Sequence, residues 1–125
     1  MNKVNILLVD DNQTFLNAFN HLVVSVLGDT IGRLDYAYNG EEALNNIKSY
    51  AYHYVFMDVT MPNMNGIVAT RRAIEEYKGF IIIAVSFHQE FEIMREMIEA
   101  GARYYVNKSD LTYDKLTRIF EIKPS

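Results

Sequence analysis

Val4-Asn5-Ile6-Leu7-Leu8-Val9-Asp10-Asp11-Asn12 is the stretch on which the fold turns. Its nearly unbroken apolar run suits a strand covered on both faces, as in a parallel sheet, and the run stops at two carboxylates. Asp11 or Asn12 can cap a following helix. That helix carries Phe15, Leu16, Phe19, Leu22, Val23 and Val26 at steps of three and four, and Gly28 closes it.

The same phrase recurs along the chain. Leu34 to Tyr38 reads as a second strand, followed by the turn Asn39-Gly40 and a helix with Glu41 and Glu42 in its first turn and Ala43, Leu44 and Ile47 inward. Tyr54 to Met57 is a third strand ending at Asp58. The loop from Val59 to Asn65 holds Pro62, and Gly66 to Tyr77 is helical, with Ile67, Thr70, Ile74 and Tyr77 on one face. Phe80 to Val85, the most apolar run, reads as a central strand ending at Ser86. Glu90 to Ala100 is a fourth helix, with Phe91, Met94 and Ile98 inward and Gly101 as its stop. Tyr104 to Asn107 is a fifth strand ending at Lys108, and a short last helix runs from about Tyr113 to Glu121, with Leu116, Ile119 and Phe120 inward. Five β-α alternations imply an α/β fold with a doubly wound parallel sheet. In such sheets the ligand site lies outside the carboxyl ends of the strands, where the strand order reverses.

Composition narrows the chemistry. A chain of 125 residues, half of them apolar, is the size of one domain. Its net charge of −4 argues against direct nucleic-acid binding by this domain. The absence of cysteine excludes a disulfide framework, a thiolate metal site and a cysteine nucleophile. No apolar run approaches the ~20 residues of a membrane span, and the start has no signal-peptide character. The expectation is a cytoplasmic protein with no membrane contact.

The residues at the strand ends carry the functional argument. Asp10 and Asp11 end the first strand, Asp58 the third, Ser86 the fourth and Lys108 the fifth. In a parallel sheet they converge on one rim. Three carboxylates together raise one another's pKa unless a cation sits among them, and an all-oxygen site suits Mg²⁺ or Mn²⁺. Lys108 and the Ser86 hydroxyl offer donors to phosphoryl oxygens. A metal, a carboxylate nucleophile, a cation and a hydroxyl suit phosphoryl transfer to an aspartate. Each residue alone has a plainer reading: the acidic pair as a helix cap, Asp58 as turn chemistry, Lys108 as a solvated lysine, Ser86 as a strand-end hydroxyl. The methionines read as packing residues, and His21, His53 and His88 have no metal-ligand spacing, although His88 lies near enough to the rim to influence water entry.

Val9-Asp10-Asp11, Met57-Asp58-Val59-Thr60-Met61-Pro62, Gly66, Ser86, Gly101-Ala102 and Tyr105-Val106-Asn107-Lys108 together resemble the receiver domain of bacterial two-component response regulators, over nearly the whole chain. The resemblance implies a flavodoxin-like (β/α)5 fold with strand order 2-1-3-4-5. It implies Asp58 as phosphoacceptor and a metal held by Asp10, Asp11, Asp58 and the Thr60 backbone carbonyl, with Asp11 the more direct ligand of the acidic pair. It implies Lys108 as the phosphoryl-oxygen ligand, and Ser86 and Tyr105 as switch residues that reshape the face of the fourth helix, fifth strand and fifth helix. The implied donor is a histidine kinase or phosphotransfer protein. The implied activity is acceptance and slow loss of the phosphoryl group rather than turnover of a substrate. A homodimer through the reshaped face is a further expectation.

Three positions depart from the family pattern. Phe87 stands where a small residue is usual, and its ring would cover the acyl phosphate and slow its formation and hydrolysis. Ser109 replaces a common proline, so a cis bond after Lys108 is not expected. Tyr104 stands beside Tyr105 where glycine is common, which leaves open which ring switches; a tyrosine there is also ordinary core. A flavin or nucleotide binder would need a Gly-rich or Ser/Thr-rich loop after the first strand, and Asp10-Asp11-Asn12-Gln13-Thr14 is not one. An aspartyl-phosphate phosphatase would need a carboxylate where Thr60 stands. Residues 1–121 therefore read as the receiver domain and 122–125 as a tail or the start of a linker. The chain reads as part of a longer transcriptional regulator, with a stand-alone or phosphate-independent receiver acting by protein contact as the alternative.

Overall fold

The run that opens the chain is strand β1 (Val4–Val9), and every residue from Ile6 to Val9 is buried. In the computed structural model, which describes residues 2–61, 64–88 and 90–124, it leads to α1 (Gln13–Leu27), β2 (Ile31–Ala37), α2 (Gly40–Ser49), β3 (Tyr54–Met57), α3 (Gly66–Glu76), β4 (Ile81–Ser86), α4 (Phe91–Ala100), β5 (Tyr104–Asn107) and α5 (Tyr113–Phe120). The five strands are all parallel, in the order β2-β1-β3-β4-β5. The expected doubly wound α/β sheet is therefore the observed one. No helix among the described residues is long and apolar enough to cross a membrane.

Pleat alternation sorts the core into two layers. Leu7, Val9, Val55, Met57, Ile82 and Ala84 face one way, among side chains of α2, α3 and α4. Ile6, Leu8, Tyr54, Phe56, Ile83 and Val85 face the other, toward Leu16, Phe19 and Val23 of α1 and Leu116 and Ile119 of α5. Both faces are covered, which is why the central strands read as continuous apolar runs. On the second face the rings make a row: Phe15 meets Phe19, Phe19 meets Phe56, and Phe120 packs edge-on against both Phe56 and Tyr54.

At the far end of that row the Tyr54 hydroxyl donates to the carbonyl oxygens of Phe120, 3.0 Å away, and Ile122, 2.6 Å away. The last carbonyls of a helix lack intrahelical partners, so this hydroxyl caps Phe120 at the end of α5 and also holds Ile122, two residues beyond it. Tyr54→Phe is expected to cost about 1 kcal/mol, measured as a lower urea midpoint with unchanged slope.

Several boundaries differ from the sequence reading. β2 begins at Ile31 rather than Leu34, because a single 3-10 turn (Gly28–Thr30) delivers the chain straight to the sheet edge, where the polar Gly32, Arg33 and Asp35 are tolerated. Asn39-Gly40 is not a separate turn: Asn39 caps α2, accepting from the Glu42 N–H, and Gly40 is already helical. β4 is shifted by one residue to include Ser86, α4 starts at Phe91, and α3 and α5 stop one residue early, at Glu76 and Phe120. On α4 the inward face is Ile93, Met97 and Ala100. Phe91 is 71 % exposed and Ile98 46 % exposed, with Met94 half-buried. The helix is apolar on two sides, and the small Ala100 with the flexible Met97 is the side that fits against the sheet and α3. On α3 the deeply buried residues include Ala69 and Ala73 beside Thr70, while Ile67, Ile74 and Tyr77 are only partly buried around them. Pro62 of the expected loop lies outside the described residues, and no cis peptide bond occurs among the described residues, Lys108–Ser109 included.

Candidate functional site

The reversal of strand order falls between β1 and β3, and the carboxylates converge there. β1 ends against β3 at the Val9–Met57 pair. The Asp58 N–H then donates to the Val9 carbonyl and the Asp10 N–H to the Ala37 carbonyl, both at 3.0 Å. These bonds hold the first residue beyond each strand in register, so Asp10 and Asp58 stand side by side. Both are buried, Asp11 is exposed, and one oxygen from each of the three lies within 4.8 Å of the others.

The acidic pair is not spent on capping α1. Asn12 does that work, its side-chain oxygen accepting from the Phe15 N–H at 3.0 Å. Asp10 Oδ1 accepts from the Asn12 N–H at 2.9 Å, which fixes the carboxylate's orientation. Asp10 Oδ2 is buried and receives no well-aligned hydrogen bond from the described residues; the Lys108 ammonium lies 2.6 Å from it. The Lys108 ammonium lies 3.8 Å from Asp58 Oδ1, so it sits nearer the first strand's carboxylate than the third's. Its side chain is 9 % exposed and lies between the rings of Phe15, 4.4 Å to the centroid, and Phe87, 5.3 Å to the centroid.

Burial, then the neighbouring Asp10 charge, pushes the Asp58 carboxyl up to about 7, with Lys108 pulling in the opposite direction. One lysine against three carboxylates leaves the cluster short of positive charge. A buried, under-satisfied Asp10 oxygen and hard oxygen donors from two strand ends fit a small divalent cation. Asp10, Asp11 and Asp58 are the side chains that could hold it.

The remaining strand-end residues close the rim. Ser86 is buried, and its hydroxyl accepts from the His88 N–H at 3.1 Å. The Tyr105 hydroxyl donates to the His88 carbonyl at 2.8 Å, and burial raises its pKa. Tyr104, by contrast, is half exposed, so Tyr105 is the ring of the pair that reaches the β4–α4 loop. Phe87 is 68 % exposed; its contact with Lys108, rather than burial, is what brings it to the site. Thr60 is exposed, and its hydroxyl lies 3.0 Å from His88 Nε2, while His88 Nδ1 lies 3.2 Å from Glu90. This bridge between the loops after β3 and β4 is a feature the sequence reading missed. Thr60 and His88 are far apart in the chain, and only their shared position beyond adjacent strands signals the meeting. The other two histidines are ordinary: His53 Nδ1 accepts from the Asn5 N–H, and His21 is exposed on α1.

Comparison with known proteins identifies the family and the fold. The family model described as the response regulator receiver domain matches residues 6–120. The chain is 27 % identical over 112 residues to the transcriptional regulatory protein DegU of Brevibacillus brevis, covering 86 % of this chain and 44 % of that protein. It is 29 % identical over 105 residues to the response regulator UvrY of Escherichia coli K12, covering 84 % and 47 %. The chain thus spans less than half the length of these curated relatives. Among solved structures, a CheY-like receiver domain protein from Methanospirillum hungatei superposes with a TM-score of 0.83 at 24 % identity, covering 95 % of this chain and 92 % of that one. A chain of the CheX–CheY–BeF3–Mg complex of Borrelia burgdorferi superposes with a TM-score of 0.82 at 26 % identity, covering 94 % and 87 %. A match along the length of the sheet, with the carboxylates at its switch point, makes the conclusion plain: the chain belongs to the response regulator receiver domain family.

Proposed function

We propose that this receiver takes a phosphoryl group onto Asp58 in a Mg²⁺-dependent reaction (Mn²⁺ substituting) and thereby switches an output. The observation that carries the proposal is the convergence of three carboxylate oxygens within 4.8 Å of one another at a rim that also holds Lys108. Asp10, Asp11 and Asp58, with the Thr60 carbonyl, would hold the cation. When bound it neutralises the carboxylates, favours the ionised form of Asp58 and offsets charge on the phosphoryl oxygens. An Asp58 oxygen attacks phosphorus, the bond from phosphorus to the donor's histidine nitrogen breaks, and that imidazole leaves with the bonding pair. Lys108 and Ser86 donate to the transferred oxygens. On this reading the protein is a self-modifying switch rather than a turnover enzyme.

Ser86 and Tyr105 both hold the His88 backbone. Recruitment of the Ser86 hydroxyl to the phosphoryl group would therefore release one restraint on the β4–α4 loop and leave Tyr105 to follow. That reading makes the α4-β5-α5 face the signalling surface, addressed to an output domain or to a second copy of the chain. A histidine kinase or phosphotransfer protein is the donor, residues 1–121 the receiver, residues 122–125 a tail or the start of a linker, and the cytoplasm the compartment. The similarity to DegU, a transcriptional regulatory protein, supports a transcriptional output.

The test is intact mass after incubation with acetyl phosphate and Mg²⁺. The parent is expected to gain one phosphoryl group, and the gain to vanish when the metal is chelated first. Lys108→Ala is expected to keep its Mg²⁺ affinity or tighten it, since a competitor for Asp10 has gone, while its phosphorylation slows by roughly 10- to 100-fold. Equal rates in parent and variant would remove Lys108 from the chemistry.

A further inference from the structure

Lys108 has a second set of partners. An ammonium on a side chain only 9 % exposed needs compensation, and Asp10 Oδ2 supplies it at 2.6 Å. A divalent cation drawn to the acidic cluster would compete for that same oxygen. The faces of Phe15 and Phe87 are partners for which the cation does not compete, and they lie 4.4 and 5.3 Å from the ammonium. Phe15 is also fixed in place. Its N–H is held by the Asn12 cap in the first turn of α1, and its ring rests on Phe19, which rests in turn on Phe56 of β3. The ring therefore belongs to the aromatic row of the core.

We propose that Phe15, with Phe87 as the weaker second wall, is a positioning residue that keeps the Lys108 ammonium at the rim for phosphoryl recognition once Asp10 is engaged by the metal. The proposal rests on the phosphoryl-binding reading of Lys108. The attraction of an ammonium for a ring face is electrostatic and grows as water is excluded. Leucine fills much of the same space without that face, whereas tyrosine retains it.

The test is a double-mutant cycle read by beryllofluoride, an analogue of the phosphoryl group. Parent, Phe15→Leu and Phe15→Tyr are titrated with it at saturating Mg²⁺, each also in a Lys108→Ala background, and Mg²⁺ affinity is measured separately. Phe15→Leu is expected to weaken beryllofluoride binding about 5-fold without weakening Mg²⁺ binding, Phe15→Tyr to restore it, and Phe15→Leu to have no effect when Lys108 is absent. Phe87→Leu is expected to give a smaller loss in the same direction. Retained Mg²⁺ affinity separates a positioning effect from a damaged fold. The same loss in both backgrounds, or no loss in either, overturns the proposal. If Lys108→Ala alone binds beryllofluoride as the parent does, the phosphoryl-binding reading of Lys108 fails first and takes this proposal with it.

Discussion

Asp58→Asn will be inert to acetyl phosphate, and with a chelator present at pH 8 it will unfold at a higher urea concentration than the parent. The two effects share a cause. Burial and Asp10 push the Asp58 carboxyl up to about 7 in the folded protein, from its ordinary value of 3.8. A carboxyl raised on folding binds its proton more tightly in the native state, so between these two values the native state carries more protons than the unfolded one, and stability falls as pH rises. The contribution is complete below about pH 4 and gone once pH passes through about 7. Asparagine cannot ionise and escapes this loss. The gap between variant and parent is thus expected to be small near pH 4, to grow as pH rises, and to level off above about pH 7.5. A shift of this size corresponds to at most about 4 kcal/mol, and screening by water reduces the expectation to about 2 kcal/mol. Saturating Mg²⁺ should narrow the gap, because a ligand of the native carboxylates stabilises the parent by mass action. A variant less stable than the parent at pH 8 would mean that the folded site favours the ionised carboxylate.

Gly66→Ala is the second large effect. A Cβ built at Gly66 would lie 2.0 Å from the Asp58 carbonyl oxygen and 2.9 Å from Val59 Cα. These are backbone atoms, so no side chain can swing aside. Gly66 also donates its N–H to the Val59 carbonyl at 2.8 Å, which draws the start of α3 against the residues after β3. Alanine must push the two segments apart, at a cost on the order of 3 kcal/mol. Because the obstructed atom belongs to Asp58 itself, the displacement moves the carboxylate away from Asp10 and Lys108. Phosphorylation is expected to slow by roughly 10- to 100-fold in molecules that remain folded, measured by phosphoryl gain over time at a temperature where circular dichroism shows native structure. Native stability with a normal rate would mean that the loop yields elsewhere.

Four of the five strand ends were legible in the sequence because those apolar runs give way to a polar residue with no intervening turn. Asp10, Asp58, Ser86 and Lys108 announce themselves by that abruptness, and parallel topology then requires them to meet. The meeting point was readable; the pairing within it was not. That Lys108 lies on Asp10 rather than Asp58 depends on the reach of a flexible side chain between two rings, which no local pattern encodes. The inward face of α4 was misjudged for a related reason. Phe91, Met94 and Ile98 keep helical spacing as faithfully as Ile93, Met97 and Ala100, and only the space left beside α3 chooses between them. The early start of β2 escaped because an edge strand tolerates Gly32, Arg33 and Asp35, which look like loop residues in isolation.

The hydroxyl that caps α5 belongs to the strand that ends at Asp58. Tyr54 and Asp58 lie four positions apart on one extended segment, a span of about 13 Å that can neither stretch nor bend appreciably. One end of this strut carries the carboxylate at the rim. The other grips the backbone of Phe120 and Ile122 as it leaves the last helix. The heading of the polypeptide beyond α5 is therefore set from inside the sheet rather than by chance contacts on the surface. Anything attached there starts from a mooring in the same rigid member as the aspartate.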